Sequence, residues 1–228
     1  VMVHDLKADL NERQTTPAQK KTKVMQAIEK PALPDINFRH NTENRSIEVY
    51  DGSVKVGDMS YDLPGDANTE TATAKIMKQT ENHVYILVEL DGFGGFIQYA
   101  GIPKGLYDYN LKTKTVTELL HVTDGSAQDV SSDGQLVSFI PATTTEDGVS
   151  LSNTEIAIKN IETGEINEYP IPTEYQTNAQ FGDVMLSPNG EKVAYATFSG
   201  GPNDPHTSAI FIIDLTANTT SQFEEQDD

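Results

Sequence analysis

The 228-residue chain carries 16 Lys and Arg against 35 Asp and Glu, a net charge of −19, with no Cys and no Trp. That composition excludes disulfides, thiolate catalysis and Cys-ligated metal, and so acidic a surface repels phosphate backbones and anionic lipid, which argues against nucleic acid and membrane surfaces as partners. No run approaches the ~18–20 apolar residues of a membrane span, residues 1–10 hold His4, Asp5, Lys7 and Asp9 and do not read as a signal peptide, and the chain reads as soluble.

Charge divides the chain in two. Residues 1–45 hold 8 Lys and Arg against 6 Asp and Glu, whereas 46–228 hold 8 Lys, no Arg and 29 acids. We therefore expect an N-terminal extension over 1–45 and a separate domain over 46–228. Within the extension Thr16-Pro17 is a helix-start signal, residues 18–30 favour helix, and Pro31 and Pro34 stop it. Val24, Met25 and Ile28 give this short helix an apolar stripe, and Lys20, Lys21 and Lys23 suit docking on an acidic surface.

From Ile47 onwards strands dominate. Residues 46–51 and 54–61 flank Asp51-Gly52-Ser53 and read as a hairpin. Residues 71–77 and 83–90 follow, the second apolar on both faces, as expected of a strand with sheets packed against each side. Then come 105–111 and 115–120. Residues 129–169 and 183–223 share one internal grammar: a strand, an Asp133-Gly134 or Asn189-Gly190 turn of type I′ character, a second strand, a polar stretch and an apolar third strand. Asn110, Asn160 and Asp214 close third strands at intervals of 50 and 54 residues, and Gly164 and Asn218 turn the outer hairpins.

Three four-stranded units therefore fit, at about 71–120, 126–171 and 180–223, with a partial one before them. A strand-rich repeat of this length points to an all-β chain of β-propeller blades, here an incomplete propeller or a trimmed one. The segment Leu186-Ser187-Pro188-Asn189-Gly190, followed by Val193-Ala194-Tyr195 and by Ile210 to Leu215, resembles the TolB-like β-propeller repeat. Residues 129–166 look like a degenerate copy with Ser131-Ser132-Asp133-Gly134 as the turn, and 71–120 keep the strands without it. The resemblance implies an extracytoplasmic binding protein, or the propeller domain that precedes some serine peptidases. It names an architecture rather than an activity.

Long connections should gather on one face, at 91–104, 142–153 and 199–208, opposite hairpins of two to four residues. On that face we expect a protein- or peptide-binding set of Asp91, Phe93, Phe96, Tyr99, Asn203, Asp204 and His206, with glycines between the aromatics freeing the backbone. The plain alternative is that those aromatics cap the domain's own core. Glu146, Asp147 and Asp204 are oxygen donors of the kind Ca²⁺ takes, though no EF-hand spacing accompanies them, and a solvated turn is the simpler reading. His4, His40, His83, His121 and His206 are scattered without zinc spacing, and no Gly-x-Ser-x-Gly elbow occurs. A non-enzymatic binding module is the expected role, and an accessory domain of a larger hydrolase or peptidase is the alternative.

Overall fold

The computed structural model describes residues 34–62, 71–91, 103–145, 148–176, 180–199 and 207–223. The expected helix over 18–30 lies outside them. Among the described residues there is no α-helix, only a single 3-10 turn at Thr173–Tyr175. Their compact unit begins at Pro34.

Sheet I contains β1 (Ile36–Asn41), β2 (Ser46–Asp51) and β3 (Val54–Ser60), all antiparallel. Ile36-Asn37-Phe38-Arg39 alternates apolar with polar, which is why this stretch pairs as a strand although it lies within the first 45 residues. Sheet II is β4 (Thr71–Gln79), β5 (His83–Asp91), β6 (Lys104–Asn110) and β7 (Thr115–Leu120). Sheet III is β8 (Gly125–Val130), β9 (Leu136–Thr145), β11 (Glu155–Asn160) and β12 (Ile166–Pro170), with β10 (Gly148–Leu151) as an added strand on β9. A parallel bridge, Lys104↔Ser126, ties sheets II and III into one nine-stranded sheet. Sheet IV is β13 (Gln180–Leu186), β14 (Lys192–Ser199), β15 (Thr207–Asp214) and β16 (Thr219–Phe223).

Sheets II, III and IV share one pairing register. The first residue of the second strand lies opposite the last of the third, as His83↔Asn110, Leu136↔Asn160 and Lys192↔Asp214. The chain is thus an array of β-propeller blades, three complete and one with three described strands.

The turns repeat down to single hydrogen bonds. Asn110 Oδ1 accepts from the N–H groups of Lys112 and Thr113, Asn160 Oδ1 from Glu162 and Thr163, and Asp214 Oδ1 from Thr216 and Ala217. These are Asx turns, in which a short polar side chain caps the peptide groups that follow it. Each loop then passes through the left-handed region, at Lys114 (φ 59), Gly164 (φ 74) and Asn218 (φ 52).

The inner turns are equally alike but are not type I′. That type needs positive φ at both central residues, and only Gly134 (φ 72) and Gly190 (φ 69) adopt it. Gly134 N–H bonds Ser131 O and Gly190 N–H bonds Ser187 O. The serine hydroxyls then donate to Asp133 Oδ1 and Asn189 Oδ1 while accepting from Leu136 and Lys192 N–H. The serine supplies the closure that a second left-handed residue would otherwise provide.

Between successive sheets lie three apolar clusters. Ile47, Val49 and Met59 of sheet I meet Val84, Ile86 and Val88 of sheet II. Tyr85, Leu87 and Leu106 meet Ala127, Val137 and Phe139 of sheet III. Ile156 and Ile158 meet Val184, Val193, Phe211 and Ile213 of sheet IV. Strand β5 supplies both of the first two clusters from alternate residues, as a strand sandwiched between sheets must.

Polar groups pin the same interfaces. Tyr107 OH lies 2.6 Å from Ser60 O and 2.7 Å from Glu118 Oε2, and Lys159 Nζ donates to Leu119 O at 2.7 Å. Asp51 Oδ2 accepts from Lys114 Nζ at 2.6 Å and from Tyr109 OH at 2.7 Å. The Lys114 bond first, and the Tyr109 bond second, hold the Asp51 carboxyl below its ordinary value of 3.8. A lowered folded-state pKa gives stability that is present above the unfolded value and lost as pH falls through the folded one. Asp51→Asn should therefore cost about 1–3 kcal/mol at pH 7 and much less at pH 2. Urea titrations at the two pH values check this, and an equal loss at both would contradict it.

Candidate functional site

The shared topology sends the strand connections to two opposite edges. At one edge the turns within each sheet, including 52–53, 80–82, 111–114, 131–135, 161–165, 187–191 and 215–218, span two to five residues. At the other lie the connections between second and third strands, and those between sheets. Asp91 and Lys104 bracket 92–103 there, and Ser199 and Thr207 bracket 200–206. Two of the three expected long connections thus lie between second- and third-strand ends on one edge.

Of the expected binding residues, Asp91 is the last residue of β5. Phe93, Phe96, Tyr99, Asn203, Asp204 and His206 lie outside the described residues, as do Glu146 and Asp147 of the expected Ca²⁺ set. Among the described residues no three His, Asp or Glu side chains converge where a metal ion would sit.

The stretch 142–153, expected to be a loop, is instead largely a two-stranded ribbon. Strand β9 runs on to Thr145, and β10 returns along it through Gly148↔Thr145 and Leu151↔Ala142. Val149 joins the cluster between sheets I and II, together with Val122 and Tyr61. The ribbon of sheet III thereby closes the top of the first interface, so a structural role accounts for its apolar side chains.

The described polar groups beside this edge are mutually engaged. His40 Nε2 and Tyr61 OH are 2.5 Å apart with their rings stacked at 5.3 Å. Burial raises the Tyr61 hydroxyl above its ordinary value, and the nearby Arg45 charge works against that. Arg45 meets Asp62 at 3.1 Å. His121 Nδ1 lies 2.8 Å from Thr123 Oγ1 and also accepts from Thr123 N–H, while Asp124 Oδ2 accepts from His121 N–H. These are local turn contacts that set the connection between sheets II and III.

One close His–carboxylate contact among the described residues lies at the tight-turn edge. His83 Nδ1 is 2.8 and 3.0 Å from the two Asp108 carboxylate oxygens and its ring stacks on Tyr85 at 6.1 Å. Burial raises the Asp108 carboxyl, opposed by the His83 bond. Burial also pushes the Tyr85 hydroxyl up to about 12, reinforced by Asp108 and Asp133. In the sequence His83 is one of five scattered histidines without zinc spacing. Its partner follows from register, because Asp108 stands opposite Tyr85 on the neighbouring strand. The pair joins β5 to β6 within sheet II and lies away from the long connections.

No protein-family model and no curated protein matches the sequence. Several solved structures are similar in shape. The acylaminoacyl peptidase of Pyrococcus horikoshii aligns at 11% identity and a TM-score of 0.45, over 68% of this chain and 25% of that one. The dipeptidyl peptidase 4 of Porphyromonas gingivalis aligns at 16% and 0.47, over 86% of this chain and 32% of that one. The β-propeller domain of the trilobed protease from Pyrococcus furiosus aligns at 14% and 0.45, over 68% of this chain and 43% of that one. The alignments thus span less than half of the length of each of those chains.

Proposed function

We propose that this chain is a TolB-like, extracytoplasmic β-propeller module that binds a protein or peptide through its long-connection edge, without chemistry of its own. The observation that carries this reading is the division of the connections. One edge is built of short turns whose peptide groups are satisfied internally, and every long connection leaves the other. A rigid stack of sheets that gathers its extended connections on one side presents them together to a partner. The stretches between those strand ends contain the aromatic residue types Phe93, Phe96 and Tyr99 and the polar ones Asn203, Asp204 and His206, next to Asp91.

The test is a selection of peptides on the purified chain from a random library. Selected peptides are then titrated against a variant with Phe93, Phe96 and Tyr99 all changed to Ala. A fall in affinity of about tenfold or more is expected, since aromatic anchors dominate such interfaces. A control change at the opposite edge, Glu165→Ala, should leave binding intact. Equal affinity of the triple variant removes this edge from the account.

A second reading is an accessory propeller domain of a larger hydrolase or peptidase. The exposed apolar face of sheet IV favours it, because a larger polypeptide would cover such a face. A reading frame that joins this segment to an α/β-hydrolase pattern is the outcome that selects this alternative.

A further inference from the structure

The shared register assigns each strand of sheet I its place. Ile36 lies opposite Asp51, as His83, Leu136 and Lys192 lie opposite Asn110, Asn160 and Asp214. Strand β1 is therefore a second strand, β2 a third and β3 a fourth. In the other sheets the second strand has a neighbour on each side, with β4, β8 and β13 as first strands. Among the described residues β1 pairs with β2 alone.

The open side of β1 presents a defined set of backbone groups. Residues opposite one another in an antiparallel ladder alternate between pairs that exchange both hydrogen bonds and pairs that exchange none. Gly52 N–H donates to Asp35 O at 2.8 Å. Asn37↔Tyr50 and Arg39↔Glu48 are then the bonded pairs. Phe38 and His40 alternate with them, so their N–H and C=O groups point away from β2.

Sheet II is uncovered at the matching place. Ile76, Ala127 and Val184 are equivalent residues of first strands, opposite Ile86, Phe139 and Tyr195. Ala127 and Val184 face the preceding sheet and are 2% and 1% exposed, whereas Ile76 is 42% exposed. Gln79 takes the place of Val130 and Leu186, since it stands opposite Val84 as they stand opposite Val137 and Val193. Its Oε1 is buried and has no hydrogen-bond partner among the described residues. At the other two interfaces a first-strand side chain of the preceding sheet reaches this place. Lys78 Nζ donates to Val130 O, and Asp129 Oδ2 accepts the Leu186 N–H at 2.9 Å.

We propose that the open side of β1 is a docking edge for an extended peptide of another protein, which adds as an antiparallel strand and lies against β4. An unpaired edge offers main-chain hydrogen bonds for affinity, and the surface beside it selects side chains. The peptide residue opposite Phe38 holds the place that Lys78 and Asp129 hold opposite Tyr85 and Ser138. A basic side chain fits there. It donates to Gln79 Oε1, and its charge suits a domain with 8 Lys against 29 acids over residues 46–228. An aliphatic residue on the same face of the peptide covers Ile76. This edge is separate from the stretches that hold Phe93, Phe96 and Tyr99.

The probe is a synthetic peptide that alternates valine with threonine, one valine being replaced by lysine, added to the 228-residue chain. Amide hydrogen exchange followed by NMR should slow at least about tenfold at Phe38 and His40, while Arg39, whose N–H faces β2, is unchanged. Methylating the peptide nitrogens at one set of alternate residues should abolish the effect, and methylating the other set should spare it. Ile76→Asp, where the side chain is half exposed, should weaken binding by about tenfold or more. The triple Ala variant at Phe93, Phe96 and Tyr99 should bind this peptide as the unaltered chain does, so the outcome is independent of the long-connection reading. Four results would each overturn the proposal: slow exchange at Phe38 and His40 without peptide, slowing at another strand edge instead, the same response to both methylated peptides, or no slowing at about 1 mM peptide.

Discussion

Gly125→Val is expected to cost a large part of the stability of the described domain. A Cβ at position 125 would lie 2.3 Å from the Ile140 carbonyl oxygen and 2.9 Å from Phe139 Cδ2. Both atoms belong to β9, which pairs with β8 at this point through Gly125↔Pro141 and Ser126↔Ile140. The carbonyl cannot retreat without opening the ladder, so overpacking adds to lost hydrogen bonds. A cost of about 3 kcal/mol or more follows, a large part of the 5–15 kcal/mol typical of a folded domain. Gly52→Ala makes the contrast. Gly52 has φ 61 and nothing within 4 Å of its missing Cβ, so alanine there meets only the left-handed backbone penalty of about 1–2 kcal/mol. Urea unfolding followed by circular dichroism ranks the two, and a reversed order would contradict the close approach of β8 and β9.

The second large effect is expected at Ile156. This residue is fully buried in the cluster between sheets III and IV, beside Val184, Val193 and Phe211. Ile156→Ala should leave a cavity and cost about 2–5 kcal/mol. Ile210→Ala, at the equivalent place in sheet IV, should cost about 0.5 kcal/mol or less in the isolated chain, because its side chain is half exposed. Identical residue type and identical register then separate burial from strand propensity. Similar losses at the two sites would show that sheet IV is already covered in this chain.

Much of the architecture was legible because the repeat writes the same physics several times. Short apolar runs in β5, β14 and β15 mark strands, and Asn110, Asn160 and Asp214 mark third-strand ends because a short polar side chain can cap the peptide groups after it. Strand β1 was less visible, since Ile36 and Phe38 sit within a stretch whose composition suggested an extension. The β9–β10 ribbon escaped because the polar run Thr143-Thr144-Thr145 at the end of β9 reads as loop. The bonds from Lys78, Asp129 and Lys159 to backbone atoms of neighbouring sheets left no local trace. A charged residue on a strand reads as solvated until the sheet opposite is known. The His83–Asp108 pair was hidden for the same reason, as cross-strand register and not sequence spacing brings the two together.

Of the expected binding residues, only the strand position of Asp91 is described. What the fold contributes to the functional reading is the edge from which the long connections leave, and this follows from the order of strands within each sheet rather than from any side chain.

Selective methyl labelling of the chain and a nuclear Overhauser map give the most direct check on the stacked-sheet account. Three separate networks are predicted, joining Ile47 and Val49 to Val84, Ile86 and Val88, Leu87 and Leu106 to Val137, and Ile156 and Ile158 to Val184, Val193 and Ile213. Ile210 should show no cross-peak to any residue of sheet I. Cross-peaks from Ile210 to Ile47 or Val49, or a missing link between Leu87 and Val137, would contradict the order and facing of the sheets.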